Sequence, residues 1–208
     1  DGITLCGTDV SGMSKKEVDE LIADKVDEYG DGKLTLYAGD KNITVKASEL
    51  GLDAADSSTS ERILNYGTDG NILYRFKAMQ KLNNNEGVDF DLKLAVDKEV
   101  VGEYLSDNEE EFVTAAVDNG LKRENGKFVF IEGKAGQQLV IDDSVDAVSD
   151  FISSDWDGKD GKVELVTEVD EPEGDKDQLM AVTDVLGSFN TNFSSSTAQR
   201  SQNVSNGA

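Results

Sequence analysis

Histidine is absent from this sequence of 208 residues, while cysteine and proline occur once each. Nucleophilic catalysis by serine or cysteine normally needs a positioned base, most often histidine, so the common catalytic triads are excluded. The single cysteine, Cys6, excludes an internal disulfide and every metal site built from several cysteines. No run of about 18 apolar residues occurs, so no segment is predicted to span a membrane. These absences indicate no catalytic residues, no cofactor and no metal.

Basic residues are also scarce, because 43 acidic side chains stand against 20 basic ones, for a formal net charge of -23. A surface of this charge repels phosphate backbones and anionic lipids, since binding either of them depends on clustered lysine and arginine. We therefore expect no nucleic-acid partner. By itself the charge indicates a well-solvated surface. Hydrophobic residues make up 37% of the chain and fall in short periodic groups, as in a folded protein with modest cores.

Residues 1–57 predict one α/β repeat unit. Ile3 to Val10 alternates like a strand, and Ser14 with Glu17 forms the capping-box signal of a helix start. The apolar residues that follow recur at helical spacing and predict one buried helix face: Val18, Leu21, Ile22, Val26 and Tyr29. Two short apolar runs on either side of "AGDKN" then predict a hairpin, because glycine and asparagine tolerate the positive φ of tight turns.

Residues 58–170 carry further helix signals. We expect one helix to open on Ser58. A second helix is predicted in "GNILYRFKAMQKL", whose apolar residues form one stripe: Ile72, Leu73, Phe76, Met79 and Leu82. A short helix is predicted from Asp97, and a further helix from Ser106 through Val117.

A duplicated module is predicted from two similar segments. "VDELIADKVDEYGDGKLTL" and "VSDFISSDWDGKDGKVELV" share an amphipathic helix, an acidic turn ending in Asp-Gly-Lys and an alternating strand, which in the second case reaches from Val163 to Val169. Asn125-Gly126, between them, is the strongest short hairpin signal. Because strands and helices do not alternate strictly, the sequence favours an α+β fold with two related small lobes built from this strand-helix-strand/hairpin module. Pro172 lies in a charged stretch, 171–185, that is predicted to be a linker.

Three further features of the sequence are of types that can carry chemistry. The acidic turn Asp155–Gly161 is similar to the start of a calcium loop, but Lys159 and Val166 stand at ligand positions, which favours a charged β-turn. Paired carboxylates of the glycosidase type occur by chance among 43 acids and indicate nothing. Cys6 lies in a predicted strand, so we interpret it as a small, half-buried apolar residue.

Aromatic residues offer one candidate binding surface. Trp156, the only tryptophan, can form a glycan platform with Tyr66 or Tyr74, because aromatic rings stack on sugar faces. The alternative is that Trp156 packs over the adjacent helix as a local lid. No other residue is predicted to touch a ligand.

Several segments resemble bacterial extracytoplasmic proteins. "GTDVSGMSKKEVDELI" resembles their opening strand and helix, and "ASELGLDAADSSTSERILNYGTDGNILYRF" resembles the segment that follows, with its Gly-x-x-Gly-Asn turn at 67–71. "FVFIEGKAGQQLVIDDSVDAVSDFI" is similar to the core of a peptidoglycan-binding repeat. This repeat precedes either a VanW-like domain or an L,D-transpeptidase domain, and the resemblance covers residues 1 to about 170.

The final stretch, "LGSFNTNFSSSTAQRSQNVSNGA", favours the first of these two families. It resembles the start of VanW-like domains, with seven residues matching in order: Leu186, Gly187, Phe189, Thr191, Phe193, Arg200 and Asn203. The chain is therefore identified as a VanW-like family member that ends at the beginning of its VanW-like domain. By this resemblance, 1–57 is the repeat unit, 58–170 the peptidoglycan-binding-like domain, 171–185 the linker and 186–208 the truncated domain.

The resemblance implies a Gram-positive cell-envelope protein, located at the cell surface and membrane-anchored in its full length. Its implied function is that of a non-catalytic module that binds or approaches peptidoglycan or another cell-wall glycan. The alternative is a stalk that positions a C-terminal domain and binds nothing itself. An enzyme that acts on cell-wall glycan through paired carboxylates is a third possibility. The oligomeric state is left open.

Overall fold

The computed structural model of the protein describes residues 2–83, 87–154 and 156–182. The described residues form two compact units, of which the larger contains those of 2–117 and 134–172, and the smaller those of 118–133 and 173–182. Small sheets and helices are mixed, as the sequence predicts. The four segment boundaries named above stay a prediction. In the described residues, no helix has both the length and the apolar character needed to cross a lipid bilayer.

Helices and strands follow one another along the described chain. The α-helices are α1 (Lys15–Gly30), α2 (Thr59–Leu64), α3 (Ile72–Asn83), α4 (Lys98–Asp107), α5 (Ile141–Ser154) and α6 (Lys176–Met180). The strands of the first half are β1 (Ile3–Leu5), β2 (Thr8–Asp9), β3 (Lys33–Ala38), β4 (Lys41–Lys46), β5 (Leu52–Ala54), β6 (Val88–Phe90) and β7 (Leu94–Val96). Those of the second half are β8 (Gly120–Glu124), β9 (Lys127–Ile131), β10 (Gly136–Leu139), β11 (Gly161–Glu164) and β12 (Thr167–Asp170).

Helix α1 begins where the sequence predicts. The Ser14 side chain accepts a hydrogen bond from the Glu17 amide, and the Glu17 carboxylate accepts one from the Ser14 amide, so the capping box is confirmed. Val18 is fully buried. The other residues of the predicted face pack at the edge of the core: Leu21, Ile22, Val26 and Tyr29.

A three-stranded sheet, in the order β11–β3–β4, lies in the larger unit. β3 and β4 form the predicted antiparallel hairpin, while β11 pairs with β3 in parallel, with Val163 opposite Leu36. The two segments that predict a duplicated module correspond to α1 with β3 and α5 with β11. Their strands are therefore neighbours in one sheet, and the segments do not form separate lobes. The duplication itself stays a prediction.

The single strand predicted over Ile3–Val10 is wrong, because β1 turns back into β2. Cys6 and Gly7 form the turn, with φ of 47° and 76°. Two consecutive positive φ values belong to the hairpin turn whose twist matches that of paired strands. The Cys6 amide is held in this conformation by the carbonyl of Phe90, at 2.9 Å. Cys6 is half-buried, as expected, but it lies in a turn.

The strand predicted over Val163–Val169 is in fact two strands in different sheets. β11 belongs with β3, whereas β12 pairs with β10 in an antiparallel pair. Between them the Leu165 amide donates to the carbonyl of Tyr37, and the carbonyl of Val166 accepts from the amide of Val140. The chain thus passes from one sheet to the next within two residues.

The helix predicted from Ser106 through Val117 is also wrong. One 3₁₀ turn, Glu109–Glu111, is followed by extended chain that bridges to Gln137 and Lys134. Phe112 at the start of this extended segment is fully buried. The Gln137 side-chain amide donates to the carbonyl of Phe112 at 2.9 Å and to that of Ala38 at 3.1 Å. Tertiary contacts therefore override the local helix signal.

Helix α3 is present as predicted, and most of its apolar stripe is exposed. Among the described side chains of this helix, only Ala78 is buried. Leu82 is half-buried, and the other stripe residues are 76%, 69%, 67% and 52% exposed: Ile72, Leu73, Phe76 and Met79. Helical periodicity shows that a face is apolar, and does not show what covers it.

The smaller unit consists of the predicted β8–β9 hairpin and α6. The hairpin turns at Asn125-Gly126, both with positive φ. Asn119, just before β8, connects the hairpin to the segment that precedes α6. The Asn119 backbone amide donates to the carbonyl of Glu173, and the Asn119 side chain donates to the carbonyl of Gly174. Lys176 lies 5.3 Å above the ring of Phe130. A short helix therefore lies inside the segment predicted to be a linker. Asp155 and the predicted VanW-like opening, 186–208, lie outside the described residues.

We expect Phe112→Ala to lower the free energy of unfolding by about 3–5 kcal/mol, because it removes a fully buried ring and leaves a cavity. Phe76→Ala is the matched control, since the same truncation at a 67% exposed site costs about 0.5 kcal/mol or less. Urea titration followed by far-UV circular dichroism measures both. Equal losses for the two variants would contradict this description of the core.

Candidate functional site

A cleft of about 650 Å³ lies between α2 and α3 in the larger unit, with β6 at its base. We call it the α2–α3 cleft. Its lining combines aromatic rings with polar and charged side chains: Ser58, Glu61, Arg62, Asn65, Tyr66, Asp69, Gly70, Asn71, Tyr74, Val88 and Phe90. Ligand sites typically have this size and this mixture of apolar walls and a few convergent polar groups.

Asp56 fixes the start of α2 at one side of the cleft. Its carboxylate accepts hydrogen bonds from the Ser58 hydroxyl at 2.6 Å and from the Ser58 amide at 2.8 Å. It also forms an ion pair with Arg62 at 3.0 Å. The Ser58 hydroxyl, then the Ser58 amide and more weakly the charge of Arg62 hold the pKa of Asp56 below its usual 3.8. Ser58 is the N-cap residue of α2, as predicted, but its side chain makes no capping hydrogen bond and donates to Asp56 instead.

The turn at 67–71 brings the chain back to α3. Gly67 and Gly70 have φ of 81° and 97°, a region in which residues with a Cβ are strained. A Cβ at Gly70 would also lie 3.0 Å from the ring of Tyr74. The Asn71 side-chain oxygen accepts a hydrogen bond from the Tyr74 amide and so caps α3. The Gly-x-x-Gly-Asn pattern of the sequence therefore shapes one wall of the cleft.

Three aromatic rings form the apolar side of the cleft. Tyr66 meets Phe90 edge to face at 5.6 Å between ring centroids, and meets Tyr74 in the same way at 6.4 Å. Burial, and then the neighbouring Tyr74, raise the pKa of Tyr66, so its hydroxyl keeps its proton at neutral pH. Tyr74 is 50% exposed and offers ring surface to solvent. The structure thus brings together two of the three predicted platform residues.

Polar side chains at the rim of the cleft can hydrogen-bond a ligand in several ways. Asn65 and Asn71 carry amides, which both donate and accept. Glu61 and Asp69 supply acceptors, and Arg62 supplies a planar cation suited to a carboxylate. Together with the rings, they suit a ligand that has hydroxyl, amide and carboxylate groups on a partly apolar frame.

Trp156 lies apart from this cleft and does not line it. It packs at the edge of the core, and its Nε1 donates to the carbonyl of Lys159. A Cβ at Gly32, just after α1, would lie 2.7 Å from the Trp156 ring, and a Cβ at Gly158 would lie 2.2 Å from Tyr29. Trp156 thus lies beside the turn that follows α1, and its role as a local lid over the adjacent helix stays a prediction. Contact of Trp156 with a glycan stays a prediction.

Sequence reasoning missed the rim and the base of the cleft. Phe90 stands in an alternating strand, which does not show what it packs against, and Arg62 and Asn65 stand in a polar helix segment. The sequence feature that could have located the cleft was the Gly-x-x-Gly-Asn turn, which lies next to two tyrosines. Among the residues that the structure describes, no group of three Cys, Asp or Glu is placed to hold a metal ion.

A family model described as "Putative peptidoglycan binding domain" matches residues 43–159, which is more than half of the chain. The matched range includes every residue of the α2–α3 cleft. No curated protein matches the chain.

Two solved structures are similar to the chain. A cysteine-to-serine mutant of the Enterococcus faecium L,D-transpeptidase is 14% identical, with a TM-score of 0.34, over 72% of this chain and 48% of its own. The Ldtfm-avibactam carbamoyl enzyme is 15% identical, with a TM-score of 0.34, over 74% of this chain and 49% of its own. The chain thus spans about half the length of these structures.

We expect the Asp56 carboxyl to titrate below 3.8, as measured by carbon-detected NMR. Ser58→Ala should move this midpoint upward, because it removes the strongest hydrogen bond to the carboxylate. Arg62→Ala should move it less, because only a weaker charge interaction is lost. Since the folded pKa is lowered, the stability linked to this group is present above the unfolded pKa and is lost as the pH falls through the folded pKa. A larger shift in Arg62→Ala than in Ser58→Ala would contradict the assignment.

Proposed function

Since the chain belongs to the family of peptidoglycan-binding domains, we propose that its α2–α3 cleft holds a segment of peptidoglycan. The observation that carries the proposal is the tyrosine pair Tyr66 and Tyr74 at the mouth of a cleft with an amide-rich rim. Aromatic rings pack on the apolar faces of sugars, and the rim side chains can bond the sugar hydroxyls. The cell-wall role itself follows from the family.

The chemistry of peptidoglycan suits both the apolar base and the polar rim of the cleft. Its sugars carry N-acetyl groups, whose methyls suit the apolar base formed by Val88 and Phe90, and whose amides suit Asn65 and Asn71. Its peptide stems end in carboxylates. Arg62 lies at the rim and is half-exposed, so it can bind such a carboxylate while it keeps its ion pair with Asp56.

We propose further that the module is not catalytic. The chain has no histidine. Its only thiol, Cys6, lies near Tyr29, and burial above all raises the pKa of Tyr29 to about 12, so this phenol cannot act as a base at neutral pH.

Extracytoplasmic location and the VanW-like assignment are the finer parts of the proposal. Peptidoglycan lies outside the cell membrane, which supports the location. The ordered matches from Leu186 to Asn203 support a VanW-like domain that begins in this segment. The nucleotide sequence downstream of the codon for Ala208 tests this assignment, and a frame that continues into an unrelated domain would contradict it.

Cosedimentation of the 208-residue chain with purified sacculi tests binding, at physiological salt with and without magnesium. Gram-positive walls contain anionic polymers, and divalent cations screen their repulsion from a chain at -23. We expect retention, and a loss of affinity of about three- to tenfold in Tyr74→Ala, because a stacked ring is removed. Tyr37→Ala is the matched control, because Tyr37 does not line the cleft.

Two outcomes would contradict the proposal. Without retention in either buffer, binding is refuted and the stalk that binds nothing becomes the better description. With retention that Tyr37→Ala reduces as much as Tyr74→Ala, binding stands but the cleft is the wrong site. Release of muropeptides by the chain alone would refute the non-catalytic part.

A further inference from the structure

The outer face of α3 is an exposed apolar surface that the cleft does not use. Ile72, Phe76 and Met79 follow one another at helical spacing, with Leu73 beside them, and all four are at least 52% exposed. A row of four large apolar side chains on one helix is more than the scattered exposure of an ordinary surface. We call this row the α3 face.

Cations flank the α3 face on both sides. Arg75 and Lys77 precede and follow Phe76, so they lie about 100° to either side of it around the helix. Lys81 stands one turn beyond Lys77, and the described side chains of α3 include no acidic residue. In a chain with a net charge of -23, this helix is a local region of positive charge.

The complementary arrangement occurs on another part of the larger unit. A groove of about 870 Å³ runs between α4 and α5, with Gly102, Ile141 and Val145 among its lining. Acidic residues flank it on both sides: Glu99, Glu103 and Asp107 on α4, and Asp142 and Asp146 on α5. Of these, only Asp146 is paired with a cation among the described residues, with Lys98 at 2.7 Å. We call it the α4–α5 groove.

We propose that the α3 face of one copy of this protein docks into the α4–α5 groove of a second copy. The apolar row enters a groove with an apolar floor, and cations on both flanks meet carboxylates on both ridges. Spacing agrees as well, because Lys77 and Lys81 are four residues apart, as are Glu99 and Glu103. Residues four apart lie on the same side of a helix at about 6 Å.

Charge favours the α4–α5 groove of a second copy over two other partners for the α3 face, namely a second α3 helix and an anionic lipid surface. Packing of α3 against α3 of a second copy would place three cations opposite three cations, which is unfavourable. An anionic lipid surface would attract α3 but repel the remaining chain. A second copy supplies carboxylates on both ridges of a groove whose floor is apolar.

An interface between two different surfaces is heterologous, so each copy keeps one free partner surface and the assembly grows head to tail. Each copy in such an assembly carries its own α2–α3 cleft. Several linked clefts would bind a repeating polymer with greater avidity than one cleft. The docking itself does not depend on the proposed peptidoglycan binding, and each can fail without the other.

Sedimentation velocity of the full 208-residue chain tests the proposal over a range of concentrations at low salt. We expect a sedimentation coefficient that rises with concentration and falls back as salt is added. Arg75→Glu with Lys77→Glu should abolish the rise, and Glu99→Lys with Glu103→Lys should do the same. Phe76→Ser with Met79→Ser should weaken association by more than tenfold. Lys15→Glu with Lys16→Glu is the control, because it changes the charge of another exposed helix by the same amount.

Mixing the two charge-reversed variants gives the decisive result. In the mixture, the acidic α3 of the first variant can dock into the basic groove of the second. The unchanged basic α3 of the second variant can also dock into the unchanged acidic groove of the first. We therefore expect association to return. Both variants remain net negative, so general attraction does not explain a rescue. A chain that stays monomeric at all concentrations overturns the proposal. So does association that the control pair abolishes equally, or binding of the chain to phosphatidylglycerol vesicles through α3 without self-association.

Discussion

The parallel pairing of β3 with β11 is the contact on which the larger unit depends. It joins Leu36 to Val163, more than 120 residues further along the chain, and closing so long a loop costs conformational entropy. Burial offsets that cost, since Leu34, Leu36 and Val163 all lie in the core. The same pairing fixes α5, which packs against β7, β11 and α4. The pairing thus helps to hold α5, which forms one wall of the α4–α5 groove.

The α2–α3 cleft has a different physical origin. It is shaped by short-range hydrogen bonds and backbone conformations: the Asp56 carboxylate at the start of α2, the positive φ of Gly70, and the Asn71 cap of α3. Each of these contributes little stability by itself. Together they fix the positions of two tyrosines and several amide side chains around the cleft. Binding surfaces on loops and helix ends are commonly built in this way on a scaffold that is packed elsewhere.

The net charge of the whole chain does not describe the charge of the individual surfaces through which this protein makes contacts. Fields from separated surface charges fade over about 8 Å at physiological salt. Within that distance, α3 is cationic and the ridges of α4 and α5 are acidic, although the whole chain stands at -23. Partner chemistry is therefore decided by which charged side chains share a face. Only the folded structure places Arg75 and Lys77 around an exposed apolar row.

Features that depend on near neighbours were determined by the sequence alone. The Ser14–Glu17 capping box, the Asn125-Gly126 turn and the existence of α3 each involve residues a few positions apart, so local propensity decides them. Tertiary structure decided the rest. Cys6 turns because Phe90 accepts its amide hydrogen bond, and the segment after Phe112 is extended because of Gln137. The α3 stripe stays exposed because the core formed by the described residues does not extend to it. Local periodicity shows which side chains share a face, whereas partners distant in sequence decide what that face meets.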